Sequence, residues 1–338
     1  MATDITISSP GLDSNDADAG RLKLFLTQFA GEVLTAYRRS SKTLGRHIER
    51  SIAAGKAAEF PVMGRKNAHY LYPGKSLDEF RKAEQQTSKK IFIDGLLTSD
   101  TLIADLDDAM NHYDVRGEYS TQIGEALAVA RDGGVLAEIA KLAANPVELL
   151  PGLGKGGVVT KEVVGGLTAE SEELGKAIIA ELLAIKTKMS NNFVPTEGRI
   201  CYMKPVCINA LVASKDAINR DFGAVASIIE GTVTRIAGID IVEVPALTAG
   251  GLTDSTGQLA PEGIIQGDGH LFPAAYKDTC AFLVAHRSTV GTLTLKSFAL
   301  EHARRAEYQA DQIIGKYAIG HGGLRPEAAF MGAITTKV

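Results

Sequence analysis

The run AIGHGG at residues 318–323 sets one imidazole, His321, among Gly320, Gly322 and Gly323. A histidine beside a glycine loop is what general acid–base catalysis or phosphate cradling would use. Either chemistry needs companions, and the sequence supplies few. The seven histidines, at 47, 69, 112, 270, 286, 302 and 321, form no HExxH pair and no close ligand spacing, so no metal is implied. No GxSxG elbow presents a serine nucleophile. Asp105, Asp107 and Asp108 could form an acid–base pair or a metal cluster. In a predicted helix over 99–110, capped by Ser99 or Asp100, they are better explained by the positive end of its dipole. Gly152, Gly154 and Gly157 satisfy GxGxxG, yet a dinucleotide site needs that motif between a strand and a helix. Here it follows a long helical pattern and LLP, so a linker is the stronger reading. Cys201, Cys207 and Cys280 lack CxxC spacing and read as reduced thiols. The sequence therefore assigns no catalytic residue, no metal ligand and no cofactor.

The glycines have a simpler use. Residues 308–320, YQADQIIGKYAIG, alternate as a long strand. Gly320, Gly322 and Gly323 are then expected to supply the positive φ values of a tight turn. Pro326 holds Arg325 extended, and His321 has no role on that turn.

The elements around these residues imply an α+β chain. Its 338 residues exceed what one core usually holds. With 45% hydrophobic and 22% charged residues it can bury a sizeable interior. The longest apolar runs, ELLAI and CAFLVA, fall far short of the roughly 20 residues of a membrane span, so no membrane partner is expected. The first twenty residues hold four Asp and no Lys or Arg, which predicts an acidic arm in place of a signal peptide. An amphipathic helix is predicted over 21–39, with Leu22, Phe25, Leu26, Phe29, Val33 and Tyr37 on one stripe. A much longer one follows Arg116, apolar on one face, with Glu118, Glu125 and Asp132 recurring on another. Residues 145–167 read as a Pro and Gly linker. Beyond it Thr168 is expected to cap a helix over 169–189, followed by strand RICYM, helix VCINALVAS and strand GIDIVEVPAL. A long loop over 248–279 then leads to strands AFLVAH and GTLTLKSF.

Charge is unevenly spread. Residues 46–90 hold ten Lys or Arg against five Asp or Glu, which leaves the rest at −9 within a total of −4. This segment reads as a hairpin with extended stretches at EFPVM and HYLY and turns at GRKN and YPGK. A lone two-stranded hairpin is marginal in water, so it needs a surface elsewhere on this chain or on another copy. Lys56, Arg65, Lys66, Arg81 and Lys82, with Tyr70 and Tyr72 between them, are the candidate subunit contacts. Aromatics among cations could also grip nucleic acid, but the chain is net acidic and carries no such signature.

The blocks GEVLTA (31–36), DGLLTSDTLIADLDDAMNHYDVRGEYSTQIGEALA (94–128), VEVPALTAGG (242–251), HRSTVGT (286–292) and ARRAEYQADQIIGKYAIGHGGLRPEAA (303–329) closely resemble the major capsid proteins of T-seven-like short-tailed bacteriophages. Residues 1–20, 145–167 and 252–279 match poorly. The resemblance implies the Hong Kong 97 capsid fold. An N-terminal arm would span 1–48, an extended loop 49–92, and a peripheral domain 93–149 with a spine helix at about 114–143. An axial domain would span 150–285, and 286–338 would return to the peripheral domain. It implies a shell protein with no enzymatic role, assembled as hexamers and pentamers in the bacterial cytoplasm into a virion. The extended loop would lie across a neighbouring subunit. A scaffolding protein and a portal would be partners, with double-stranded DNA held non-specifically on the inner face, where Arg38, Arg39, Lys42 and Arg46 are candidates.

Two other readings stand beside this one: a nanocompartment shell of the same fold that encloses cargo enzymes, and an α/β enzyme using a Gly-rich loop. The shell readings predict that Arg65→Glu with Lys66→Glu leaves a soluble folded subunit that assembles poorly, as electron microscopy would show. On the turn reading His321→Ala should still assemble, whereas Gly323→Val should fail.

Overall fold

The computed structural model describes residues 36–37, 40–66, 68–79, 83, 85–104, 116–168, 171–214, 226–227, 232–233, 235–236, 237–245, 247 and 270–337. Two sheets, and one helix long enough to lie on both, organise them. The helix is α1 (Arg116–Ala144), the expected spine.

The six-stranded sheet has the order β5 (Gly157–Val163), β14 (Ala329–Thr336), β11 (Cys280–His286), β6 (Arg199–Met203), β10 (Ile239–Glu243), β9 (Arg235–Ile236). Its central strands are apolar at nearly every position because both faces are covered. Alternate side chains take opposite sides. Ile200, Tyr202, Leu283 and Met331 meet Val135, Leu136 and Ile139 of α1. Cys201, Met203, Phe282, Val284 and Phe330 meet Leu174, Ile178, Leu182, Ile185 and Met189 of α2 (Ser171–Asn191). The short α3 (Pro205–Ala213) completes that second layer. Two-residue strands β7 (Ala226–Ser227) and β8 (Thr232–Val233) pair only with each other.

The four-stranded sheet has the order β1 (Ile48–Ser51), β12 (Val290–Arg305), β13 (Ala310–Gly323), β4 (Gly95–Ala104). Ile103, Ile313 and Tyr317 pack on Ile123, Leu127 and Ala128 in the first half of α1. The hairpin pairs β2 (Ala57–Met63) with β3 (Gln86–Phe92) from Ala57↔Phe92 to Met63↔Gln86. It is not unsupported: Phe60, Ile91 and Ile93 are buried against Leu293, Ala318 and Leu324 of the same chain.

Several expectations change. Ser99 and Asp100 lie inside β4, not at a helix N-terminus, because that strand pairs along its length with β13. Asp105, Asp107 and Asp108 lie outside the described residues. HYLY is not a strand; the return limb is β3, and the described residues between β2 and β3 form the hairpin tip. The stretch read as a linker contains β5, which pairs parallel with β14. Thr168 ends a short 3-10 turn, its hydroxyl donating to Gly165 O (2.8 Å), and α2 opens at Ser171. Asp132 is buried, unlike Glu118 and Glu125, because the second half of α1 is enclosed on all sides. The segment 286–338 serves both sheets, since its last strand crosses into the six-stranded one. Of the helix expected over 21–39, only residues 36 and 37 are described.

The largest change concerns Gly320, Gly322 and Gly323. All three lie in β13, and none has positive φ. They are glycines because neighbours approach too closely for a side chain. A Cβ on Gly320 would come within 1.8 Å of Phe92 O, on Gly322 within 2.8 Å of Ile91, and on Gly323 within 2.6 Å of Leu142. The first obstacle is backbone and cannot turn aside; the Leu142 side chain can yield in part. Gly320→Ala is therefore expected to lower stability by about 3 kcal/mol or more. Gly323→Val should cost less, as the midpoints of urea unfolding would show.

Candidate functional site

Around His321 the structure assembles a buried polar chain in place of a catalytic loop. His47 Nδ1 lies 3.0 Å from Thr43 O and His47 Nε2 lies 2.7 Å from Thr292 Oγ1. Thr292 Oγ1 is 2.9 Å from His321 Nδ1. Burial favours the neutral form of both histidines, and a backbone carbonyl only accepts, so His47 Nδ1–H donates to Thr43 O, the Thr292 hydroxyl donates to His47 Nε2, and His321 Nδ1–H donates to Thr292. Burial pushes each pKa below its ordinary value, His321 furthest, with the nearby His270, His47 and Arg131 adding to the effect. The His321 ring also lies against Gly134 of α1, where a Cβ would come within 2.6 Å of it.

The His270 ring stands edge-on to that of His321 at 5.4 Å. It bridges two carboxylates, with Nδ1 2.7 Å from Glu138 Oε1 and Nε2 2.7 Å from Asp94 Oδ2. Burial opposes its charge, but the two hydrogen bonds outweigh burial and raise its pKa to about 9. Burial would raise the Glu138 carboxyl, yet His270 and Lys141 hold it below the usual range. His270 is held in the left-handed conformation, φ 53°, which is unfavourable for a residue with a Cβ.

Nearer the start of α1, Asp132 accepts hydrogen bonds from Ser41 Oγ (2.7 Å), Thr43 Oγ1 (2.6 Å) and the N–H groups of Lys42 and Thr43. Arg131 donates to the Tyr37 hydroxyl (2.9 Å) and to Glu49 (2.7 Å). Sequence reasoning missed this network. The only signal was the placement of charged residues within the alanine-rich α1.

The predicted contact residues fall elsewhere. Lys56, Lys66, Tyr70 and Tyr72 are exposed on the hairpin, Tyr70 to 90%. Leu71 and Leu77 are exposed beside them. Arg65 instead reaches its own chain: its guanidinium lies over the Phe193 ring, 4.1 Å from the centroid, and donates to Asn192 O. Lys42 and Arg46 are exposed next to the Asp132 anchor. Arg81, Lys82, Arg38 and Arg39 lie outside the described residues. Gly320, Gly322 and Gly323 stand in the strand beside the histidine chain. The three cysteines are free and buried. Among the described residues no group of three His, Cys, Asp or Glu is arranged to hold a metal, and no helix is long and apolar enough to cross a membrane.

Comparison with known proteins gives a consistent result. A family model described as Gp10A-like major capsid protein matches residues 59–333. The chain is 51% identical over 323 residues to the major capsid protein of Enterobacteria phage T3, covering 92% of this chain and 91% of that protein. It is 47% identical over 333 residues to that of Escherichia phage T7, covering 95% and 94%. Among solved structures, the capsid of Cyanophage P-SCSP1u superposes with a TM-score of 0.72 at 32% identity, covering 99% of this chain and 100% of that one.

The histidine charges give a pH dependence of definite sign. His270 has a raised pKa, so its contribution is complete below about 6.5 and is lost as pH rises through about 9. His47 and His321 have lowered values, so theirs is complete above about 6.5 and is lost as pH falls below it. Through these histidines urea-unfolding stability is expected to fall at acid pH and again as pH rises towards 9, and Glu181, pushed up to about 8 by burial, adds to the loss as pH rises from about 4.5. His270→Asn should flatten the alkaline limb, on the order of 3 kcal/mol, and leave the acid limb. A variant profile parallel to the wild type above about pH 7 would exclude the clamp. His321→Ala, silent on the turn reading, should now cost about 1–3 kcal/mol by leaving Thr292 without its donor.

Proposed function

The chain belongs to the Gp10A-like major capsid protein family and is a phage major capsid protein of the Hong Kong 97 type; on that premise we propose that it closes as hexamers and pentamers into an icosahedral shell around double-stranded DNA. Its role is structural, it self-associates, and it is a component of the virion. Assembly takes place in the bacterial cytoplasm on a scaffolding protein and around a portal. Residues 1–48 serve as the arm, 49–92 as the extended loop, 93–149 with most of 286–338 as the peripheral domain, and 150–285 as the axial domain. DNA meets the inner face without sequence preference, at basic residues such as Arg38, Arg39, Lys42 and Arg46.

The observation that carries the reading is the hairpin tip. Tyr70, Leu71, Tyr72 and Leu77 expose large apolar surfaces together, and such a cluster marks an interaction site. Full burial of one such side chain contributes about 2 kcal/mol, whereas an exposed ion pair contributes about 0–1 kcal/mol. The aromatic residues therefore dominate this contact, and Lys56 and Lys66 steer it. Multiplied over a closed shell, contacts of this size hold without covalent bonds.

Size-exclusion chromatography and negative-stain microscopy of the purified chain test the reading, with megadalton shells, sheets or tubes as the expected result. A stable monomer or dimer under all conditions of salt and scaffold would refute it. Tyr70→Ser with Tyr72→Ser should abolish particles while leaving the melting temperature unchanged. Lys56→Gln with Lys66→Gln should chiefly slow their formation at low salt.

A further inference from the structure

At the end of α2 the chain places a phenylalanine where helices commonly end on glycine. Val194 N–H donates to Met189 O (2.9 Å) and Phe193 N–H to Ser190 O (2.9 Å), the paired bonds of a Schellman ending. Phe193 occupies the left-handed position of that motif, φ 55°. For a residue with a Cβ this conformation is unfavourable, and the ring is also 75% exposed. Neither property benefits α2.

What the position provides is a platform for a cation. The Arg65 guanidinium covers the ring at 4.1 Å and donates to Asn192 O, the carbonyl just before it. The Asn192 side chain is itself fixed, its Nδ2 donating to Lys155 O (3.0 Å) and Glu327 O (2.9 Å). Arg65, Asn192, Phe193 and Glu327 line one cavity of about 290 Å³. The Glu327 side chain is buried there with no hydrogen-bond partner on another residue; burial raises its pKa, and Arg325, 3.8 Å from it, and then Arg65 oppose that rise.

Arg65 also holds a particular place along the hairpin. Before it, Phe60 and Val62 are buried on the body, and Gly64 N–H donates to Gln85 O (2.9 Å). After it come the exposed Tyr70, Leu71, Tyr72 and Leu77. We propose that the contact of Arg65 with Phe193 and Asn192 is a pin within one subunit, which fixes the angle at which the hairpin tip is presented to a second copy of the chain. Arg65 and Phe193 are then positioning residues for assembly, not contacts between subunits. The proposal rests on the assembly reading above. A tip free to swing must be ordered when it docks, and that cost is subtracted from the contact. A pinned tip is ordered beforehand, and the strained backbone at Phe193 is tolerated for that reason.

Phe193→Gly separates the pin from the helix ending, since glycine adopts the left-handed position without strain but removes the ring. This variant should melt at or above the wild-type temperature, yet need a roughly tenfold higher concentration to form particles. Arg65→Ala should show the same shift, and the double variant no more than either single one. Particle formation by Phe193→Gly at the wild-type concentration would overturn the pin. Additive losses in the double variant would also overturn it, because Arg65 would then act on the neighbouring copy. Should the wild-type chain itself form no particles, the assembly reading falls, and the pin falls with it.

Discussion

Charged side chains inside the second half of α1 are the constraint on which the rest depends. Arg131, Asp132 and Glu138 are largely withdrawn from water, and a buried charge is costly unless every polar atom around it is matched. The matching partners come from far along the chain. Segment 37–49 supplies Tyr37, Ser41, Thr43 and Glu49. The hairpin base supplies Asp94, which shares His270 with Glu138. Apolar packing alone would hold these segments on α1 without fixing their register. Hydrogen bonds at 2.6–2.9 Å to single atoms do fix it. Arg131 Nε is buried without a hydrogen-bond partner.

This frame divides the molecule by role. The six-stranded sheet, covered on both faces by α1 and by α2 with α3, is packed for permanence. The hairpin is built differently. Its strands rest on the body through Phe60, Val62 and Ile91, while its tip carries aromatic and basic residues into solvent. An exposed Tyr70 or Leu77 contributes little to the subunit that carries it. Such residues become favourable only when another surface covers them, which is the economy expected of a protein whose stable state is a shell.

The glycines near His321 show how readily one composition supports two readings. A histidine flanked by three glycines is as compatible with a mobile loop as with a crowded strand. In the structure the crowding is literal: Phe92 O, Ile91 and Leu142 each press on one of them. The residues that exclude side chains there lie more than 170 positions away in the chain, and no local rule could name them. The same holds for Gly134, whose missing side chain makes room for the His321 ring.

Sequence alone determined what depends on neighbours in the chain. The long period of α1, the unbroken apolar runs of β6 and β11 and the return of β2 on a basic segment are local patterns, and local sterics and solvation enforce them. The blocks at 94–128 and 303–329 carry the resemblance to the capsid family in their residues alone. Tertiary structure alone decided what depends on distant partners. It turned 99–104 into strand, because pairing with β13 satisfies more backbone groups than a short helix would. It moved Asp132 from a solvated face to a buried one, and made His321 a neutral link with His270 as its charged neighbour. Charge state and burial are set by groups brought together across the chain, and their separation in sequence carries no trace of that meeting.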